Sequence, residues 1–181
     1  MGFGLLLLGY LTMLGIMPTS FVYSTYTMAI PIIGGGIMLA AFRKLQAYDL
    51  YFKAAKYVCI GYISVLVVLT PFEIIYYQNM PIVYMYVAKI VRSAVLLLFH
   101  HYLLFAIHSL AKTIDNPKIK RASKRNLYVT YFYFVFSIVA TLPVFGIYTI
   151  HLQLFSLILG IVYYFLILVN LFSCYMRITT E

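Results

Sequence analysis

Long apolar runs separated by short polar punctuation dominate this chain. A helix needs about 20 apolar residues to cross the hydrocarbon core of a bilayer, and runs of that length, or close to it, recur six times. They predict an all-α fold: a polytopic transmembrane helix bundle, one integral membrane domain over residues 1–181. The spans fall at about 2–17, 21–42, 57–77, 82–111, 127–147 and 152–176. Pro18, Thr19 and Ser20 punctuate the first pair, Gln78 to Pro81 makes a tight turn, and His151 marks a brief one. The longer breaks are polar. Arg43 to Lys56, RKLQAYDLYFKAAK, is partly amphipathic through Leu45, Tyr48, Leu50, Tyr51 and Phe52, and reads as a short helix lying in the interface. Ile114 to Asn126, IDNPKIKRASKRN, reads as the one clearly hydrophilic loop. Met1 runs directly into GFGLLLLGYLTMLGI, without a cationic start or a small-residue cleavage site, so this run reads as a retained first span.

The second span contains Pro31 and the triplet Gly34-Gly35-Gly36. Pro31 removes a backbone donor and predicts a kink. Gly36 with Ala40 is a small pair suited to close helix packing. A broken, substrate-lining helix of the kind found in transporters is the other reading. The chain has 19 Tyr and no Trp. Many Tyr sit near span ends, as in an interfacial aromatic belt, whereas Tyr163 and Tyr164 fall nearer mid-span.

Charge then orients the bundle. Only 9% of residues are charged and 65% are hydrophobic, against about 25% charged in soluble domains, which leaves no room for a separate soluble domain. The net charge of +9 lies beside the apolar runs. Arg43, Lys44, Lys53 and Lys56 fall in one break, Lys112, Lys118, Lys120, Arg121, Lys124 and Arg125 in another, and Arg177 follows the sixth span. The three remaining turns hold no Lys or Arg. With six spans every cationic segment lies on one side, which the positive-inside rule makes cytoplasmic, together with both termini. The location implied is multi-pass in a plasma membrane. Nucleic acid is not implied as a partner. The lipid bilayer is, and Lys118, Lys120, Arg121, Lys124 and Arg125 form a candidate docking patch for anionic lipid or a membrane partner protein; alternatively these residues only set topology. Cys59 and Cys174 both fall toward the reducing side, so no disulfide is expected.

Candidate chemistry concentrates in the fourth span, PIVYMYVAKIVRSAVLLLFHHYLLFAIHSLAK, because ionisable groups inside a membrane are costly. Lys89 and His100 fall within about 20° of one another on the helix surface, while His101 and His108 share a second face. Glu73, near the outer end of the third span, is within plausible reach of Lys89 or Arg92 across a hairpin. Glu73, Lys89, Arg92, His100 and His101 therefore form a candidate polar pocket for a charged or zwitterionic solute. The structural alternative is a buried ion pair, snorkelling cations and histidines that hydrogen-bond between helices. No cofactor is expected. A haem would need a second axial His, and His151 sits at the outer edge. A zinc site needs three or four ligands, which His108 with Cys59 or Cys174 does not supply. Cys59 with His108 is the minimum for a membrane thiol enzyme, and no established enzyme motif accompanies it.

GFGLLLLGYLTMLGI, IIGGGIMLAAFRKL and YFKAAKYV together resemble small six-span integral membrane proteins of Gram-positive bacteria, in which a glycine-bearing first hairpin closes with Arg-Lys-Leu. The resemblance covers about the first 60 residues; it implies a fold and a bacterial membrane location, and no activity. Three functions stay open: a small transporter-like or accessory membrane subunit, a sensory or regulatory module whose basic loop docks a partner, and a membrane-embedded Cys/His enzyme.

Overall fold

Six helices form where the apolar runs lie, and their ends follow local chemistry. The computed structural model describes residues 2–14, 25–75, 81–140 and 149–178. Among these, all regular structure is helical: α1 (Gly2–Leu14), α2 (Thr25–Leu45), α3 (Leu50–Ile75), α4 (Ile82–Thr113), α5 (Pro117–Val139) and α6 (Thr149–Ile178). Three are long and apolar enough to cross a membrane, over Leu50–Leu69, Tyr86–Thr113 and Ile150–Ile178; Gly2–Met13 is a shorter apolar helix. The outer face of α6, including Leu154, Ile158, Ile161, Phe165 and Phe172, is exposed. In water it would be a large apolar patch; against lipid it is ordinary helix surface.

Three breaks differ from the sequence expectation: His151 lies inside α6, which begins at Thr149, and not in a turn, and two polar breaks are organised differently. Arg43 to Lys56 is not an interfacial helix. Helix α2 runs on to Leu45, a turn follows, and α3 starts at Leu50. The Asp49 carboxylate accepts the Tyr51 amide at 2.7 Å, an N-cap that satisfies an otherwise unpaired donor. Ile114 to Asn126 is not a loop beyond Asn116. The Asn116 side chain accepts the Ile119 amide, and Pro117 occupies the first helical turn, where its missing N–H is no loss. Asp115, at φ 51°, makes the sharp reversal. The basic residues thus wind onto the first turns of α5. Ile119, Ser123, Asn126, Thr130 and Phe134 form its buried stripe, at the three- and four-residue spacing of one helix face. Lys118, Lys120, Arg121, Lys124 and Arg125 occupy the opposite, exposed side.

Each helix packs on its neighbours in sequence, and α6 closes back on α1, making a ring of six. The tightest approach is between α1 and α2. A Cβ on Gly9 would lie 2.8 Å from the Gly34 carbonyl oxygen, and one on Gly34 would lie 2.7 Å from the Met13 nitrogen. Both contacts are with backbone, so neither position takes a side chain. Gly35 admits the side chain of Ile63 from α3, whereas Gly36 meets nothing within 4 Å among the described residues. The expected packing of Gly36 with Ala40 therefore does not occur among the described residues: both are exposed, because α2 turns Gly34 and Gly35 inward. Pro31 lies inside α2 and Pro71 inside α3.

The α2–α3 and α4–α5 turns lie at one end of the ring. Gly2 meets Leu45 and Gly4 meets Tyr175, which brings the start of α1 and the finish of α6 to the same end. That end gathers eleven of the 13 Lys and Arg, all but Lys89 and Arg92.

A buried histidine and tyrosine centre

The middle of the ring is aromatic. His100 of α4 is fully buried. Its Nδ1 lies 2.7 Å from the Leu96 carbonyl oxygen, which can only accept, so Nδ1 carries the proton. Nε2 is then an acceptor, and the Tyr10 hydroxyl of α1 donates to it at 2.7 Å. Both nitrogens of a neutral imidazole are used. The surroundings are rings: Phe99 at 5.1 Å, Tyr163 at 5.3 Å, Tyr10 at 5.6 Å and Phe134 at 6.0 Å between centroids. Tyr163 stacks on Tyr133 at 4.8 Å and 16°, and Tyr164 packs against both Tyr163 and Tyr10. The Tyr163 hydroxyl is buried and lies close enough to the Tyr10 hydroxyl to interact with it.

Toward the basic end the α5–α6 contact is polar. Asn170 Nδ2 donates to Ser123 Oγ at 3.1 Å and Asn126 Nδ2 donates to the Leu166 carbonyl at 2.9 Å, while within α5 Thr130 Oγ1 donates to the Asn126 carbonyl at 2.8 Å. All four side chains are buried. Asn170 Oδ1 has no partner among the described residues.

The structure brings together only part of the candidate pocket. His101 is half-buried and turned toward α5, where its Nδ1 pairs with the Tyr131 hydroxyl. His108 follows on that face, its Nδ1 donating to the Lys120 carbonyl at 3.1 Å. Lys89 is exposed although it shares the helix face of buried His100, and Arg92 is half-buried, within electrostatic reach of Tyr62 on α3. His100 and His101 thus turn to different neighbours, neither of them Lys89 or Arg92. Glu73 lies in α3, and its side chain is outside the described residues. A shallow depression of 380 Å³ is lined by Gln46 to Tyr51 at the α2–α3 turn, at the end of the ring opposite to Lys89.

Cys59 and Cys174 are both buried and unlinked. The Cys59 thiol donates weakly to the Gly35 carbonyl at 3.9 Å, so Cys59 faces α2 while His108 faces α5, and the two do not form a couple. Among the described residues no three His, Cys, Asp or Glu side chains gather as a metal site would require.

Tyr10, Asn126 and Asn170 are buried, hydrogen-bonded side chains that the sequence reading passed over. A single Asn in a long apolar run is a usable signal, because an amide in hydrocarbon needs a partner. Tyr10 carries no such signal among 19 Tyr. No family model, no curated protein and no solved structure matches the chain.

Proposed function

We propose that this chain is a six-span protein of the bacterial plasma membrane, with both termini in the cytoplasm, and that it acts as a small non-enzymatic accessory subunit. One observation carries the reading: eleven of 13 Lys and Arg gather at one end of the ring, the asymmetry that retains a cytoplasmic side. The accessory role is favoured over a transporter-like one because His100 and His101 are each engaged by a tyrosine, which gives them a packing role. Reporter fusions inserted at Asn116 and appended after Glu181 test the threading. Both should report the cytoplasm, and an external reading at Asn116 overturns it.

A second reading rests on the exposed basic face of α5: the module docks anionic lipid through Lys118, Lys120, Arg121, Lys124 and Arg125. Each cation near such a surface contributes about 1 kcal/mol. Phosphatidylglycerol should raise the melting temperature of the detergent-solubilised protein more than phosphatidylcholine does. Replacing the five cations by Gln should abolish that difference; equal shifts from the two lipids in the unaltered protein remove this reading.

A further inference from the structure

Helix α4 packs between α3 and α5, and its buried arc runs through Phe99, Leu103, Ile107 and Leu110. At about 100° per residue, His101, Phe105 and His108 fall on the opposite arc, and all three are only half-buried. The outer wall of the ring thus carries two imidazoles, on a helix long and apolar enough to cross a membrane. Ionisable groups in such helices almost always face the bundle interior or water, so this pair needs an account. Each ring uses only Nδ1 within the chain, toward the Tyr131 hydroxyl and the Lys120 carbonyl of α5. Neither Nε2 has a hydrogen-bond partner among the described residues, and neither is a buried unpaired atom, so both are accessible from outside. The two nitrogens of an imidazole point nearly opposite ways, so both Nε2 atoms turn away from α5. Phe105 lies between the two rings, 5.7 Å from His101 and 6.4 Å from His108, with Tyr51 of α3 against it at 4.7 Å.

We propose that this wall binds a membrane quinol, its para-hydroquinone ring lying across Phe105 between His101 and His108. The free valences select the ligand. His108 Nδ1 donates to a carbonyl, which can only accept, so its Nε2 is an acceptor. At His101, Tyr131 either donates to Nδ1 and leaves Nε2–H free, or accepts from it and leaves its own O–H free; both arrangements keep one donor. The wall therefore offers one donor and one acceptor along a single helix face, about 10.5 Å apart for residues seven apart. Two hydrogen bonds of about 2.8 Å leave about 5 Å between the polar atoms of the ligand. Two oxygens across a benzene ring have that separation, and a hydroquinone hydroxyl both donates and accepts. Phospholipid does not fit: its phosphate and ester oxygens only accept, and His101 is eleven residues from Lys112, about 16.5 Å further along the helix, at the level of acyl chains. The rings of Phe105 and Tyr51 suit a flat aromatic partner. The wall faces lipid, so a quinol dissolved in the bilayer reaches it laterally and needs no enclosed cavity. This inference rests on α4 crossing a bilayer and is independent of the accessory role and of the threading.

The chain has four His, so each can be followed by NMR. Full-length protein carrying ¹⁵N-labelled histidine, in phosphatidylcholine nanodiscs under reductant, is titrated with a decyl-substituted para-benzohydroquinone. The Nε2 resonances of His101 and His108 should move together and saturate, while those of His100 and His151 stay. The para-dimethyl ether of the same compound keeps both oxygens and has no O–H to give to His108. It should bind about tenfold more weakly, the loss of one hydrogen bond together with an acceptor left unpaired. His108→Ala should bind the hydroquinone about tenfold more weakly and no longer distinguish it from the ether. The two ligands in the unaltered protein decide the matter even where that variant does not fold. Absence of a saturable shift, a shift confined to one of the two histidines, or equal affinity for hydroquinone and ether overturns the site. So does the same shift produced by phosphatidylglycerol alone, which would make the wall a headgroup site.

Discussion

At the level of His100 the interior of the ring is a set of aromatic side chains around one imidazole. Nearer the basic end, between α5 and α6, it is a stack of small amides and hydroxyls. The two regions are buried to the same degree, yet their hydrogen bonds do different things. The Tyr10–His100 bond joins side chains 90 residues apart and ties α1 to α4 across the ring. The seam joins two helices consecutive in the chain by two bonds, one of which ends on a backbone carbonyl. Within lipid, apolar surface gives helices little reason to choose one neighbour over another. Specific bonds and close backbone contacts then decide who sits beside whom. The centre fixes how the ring closes, while the seam fixes the register of one helix pair.

The comparison breaks most visibly at His100. His100→Ala leaves a cavity among rings and strands the Tyr10 hydroxyl, so it should destabilise by about 3–5 kcal/mol. The measurement is thermal unfolding in detergent, and a loss no larger than that of a seam substitution would put the two regions on an equal footing. Tyr10→Phe keeps the packing and removes one bond, so about 1–2 kcal/mol is expected. Combined with His100→Ala it should add less than its own separate cost, because the partner is already gone; strict additivity would mean that the hydroxyl and the imidazole are not coupled. In the seam, Asn126→Ala should cost about 1 kcal/mol, near the average for interhelical bonds in membrane proteins. Crosslinking between cysteines introduced into α1 and α4 should be unchanged by Asn126→Ala and weakened by Tyr10→Phe. Smallest of all is Tyr131→Phe. Its partner His101 is only half-buried, so a change under about 0.5 kcal/mol is expected. A larger loss would make the α4–α5 contact a third fixed point of the bundle.

Several features were legible before any fold was known. The helical class, the six apolar runs and the gathering of cations into two breaks and one tail follow from hydropathy and charge alone. The start of α5 was not read from the sequence, although it is signalled there: Asn116-Pro117 is a cap followed by a first-turn proline, and Ile119, Ser123, Asn126 and Thr130 keep helical spacing. The density of cations disguised that start as a loop, since the buried stripe beneath them is mostly polar and shows no hydrophobic period. The interfacial helix expected at Arg43 to Lys56 failed for a related reason. Its amphipathic residues belong to two helices that share Leu45 and Phe52 as core residues on either side of the Asp49 cap.

The sequence by itself determined that the apolar runs are helical, that their surfaces suit lipid, and that charge lies at chosen breaks, because each of these depends on residues near one another in the chain. It marked His100 as a group needing a partner. It did not say that Tyr10 rather than any other tyrosine would supply the proton, that Gly9 and Gly34 rather than Gly36 would bring two backbones together, or that Lys89 would be exposed on the same helix face that buries His100. Those outcomes depend on which helices become neighbours and at what depth, and residues tens of positions apart decide that only when the ring closes.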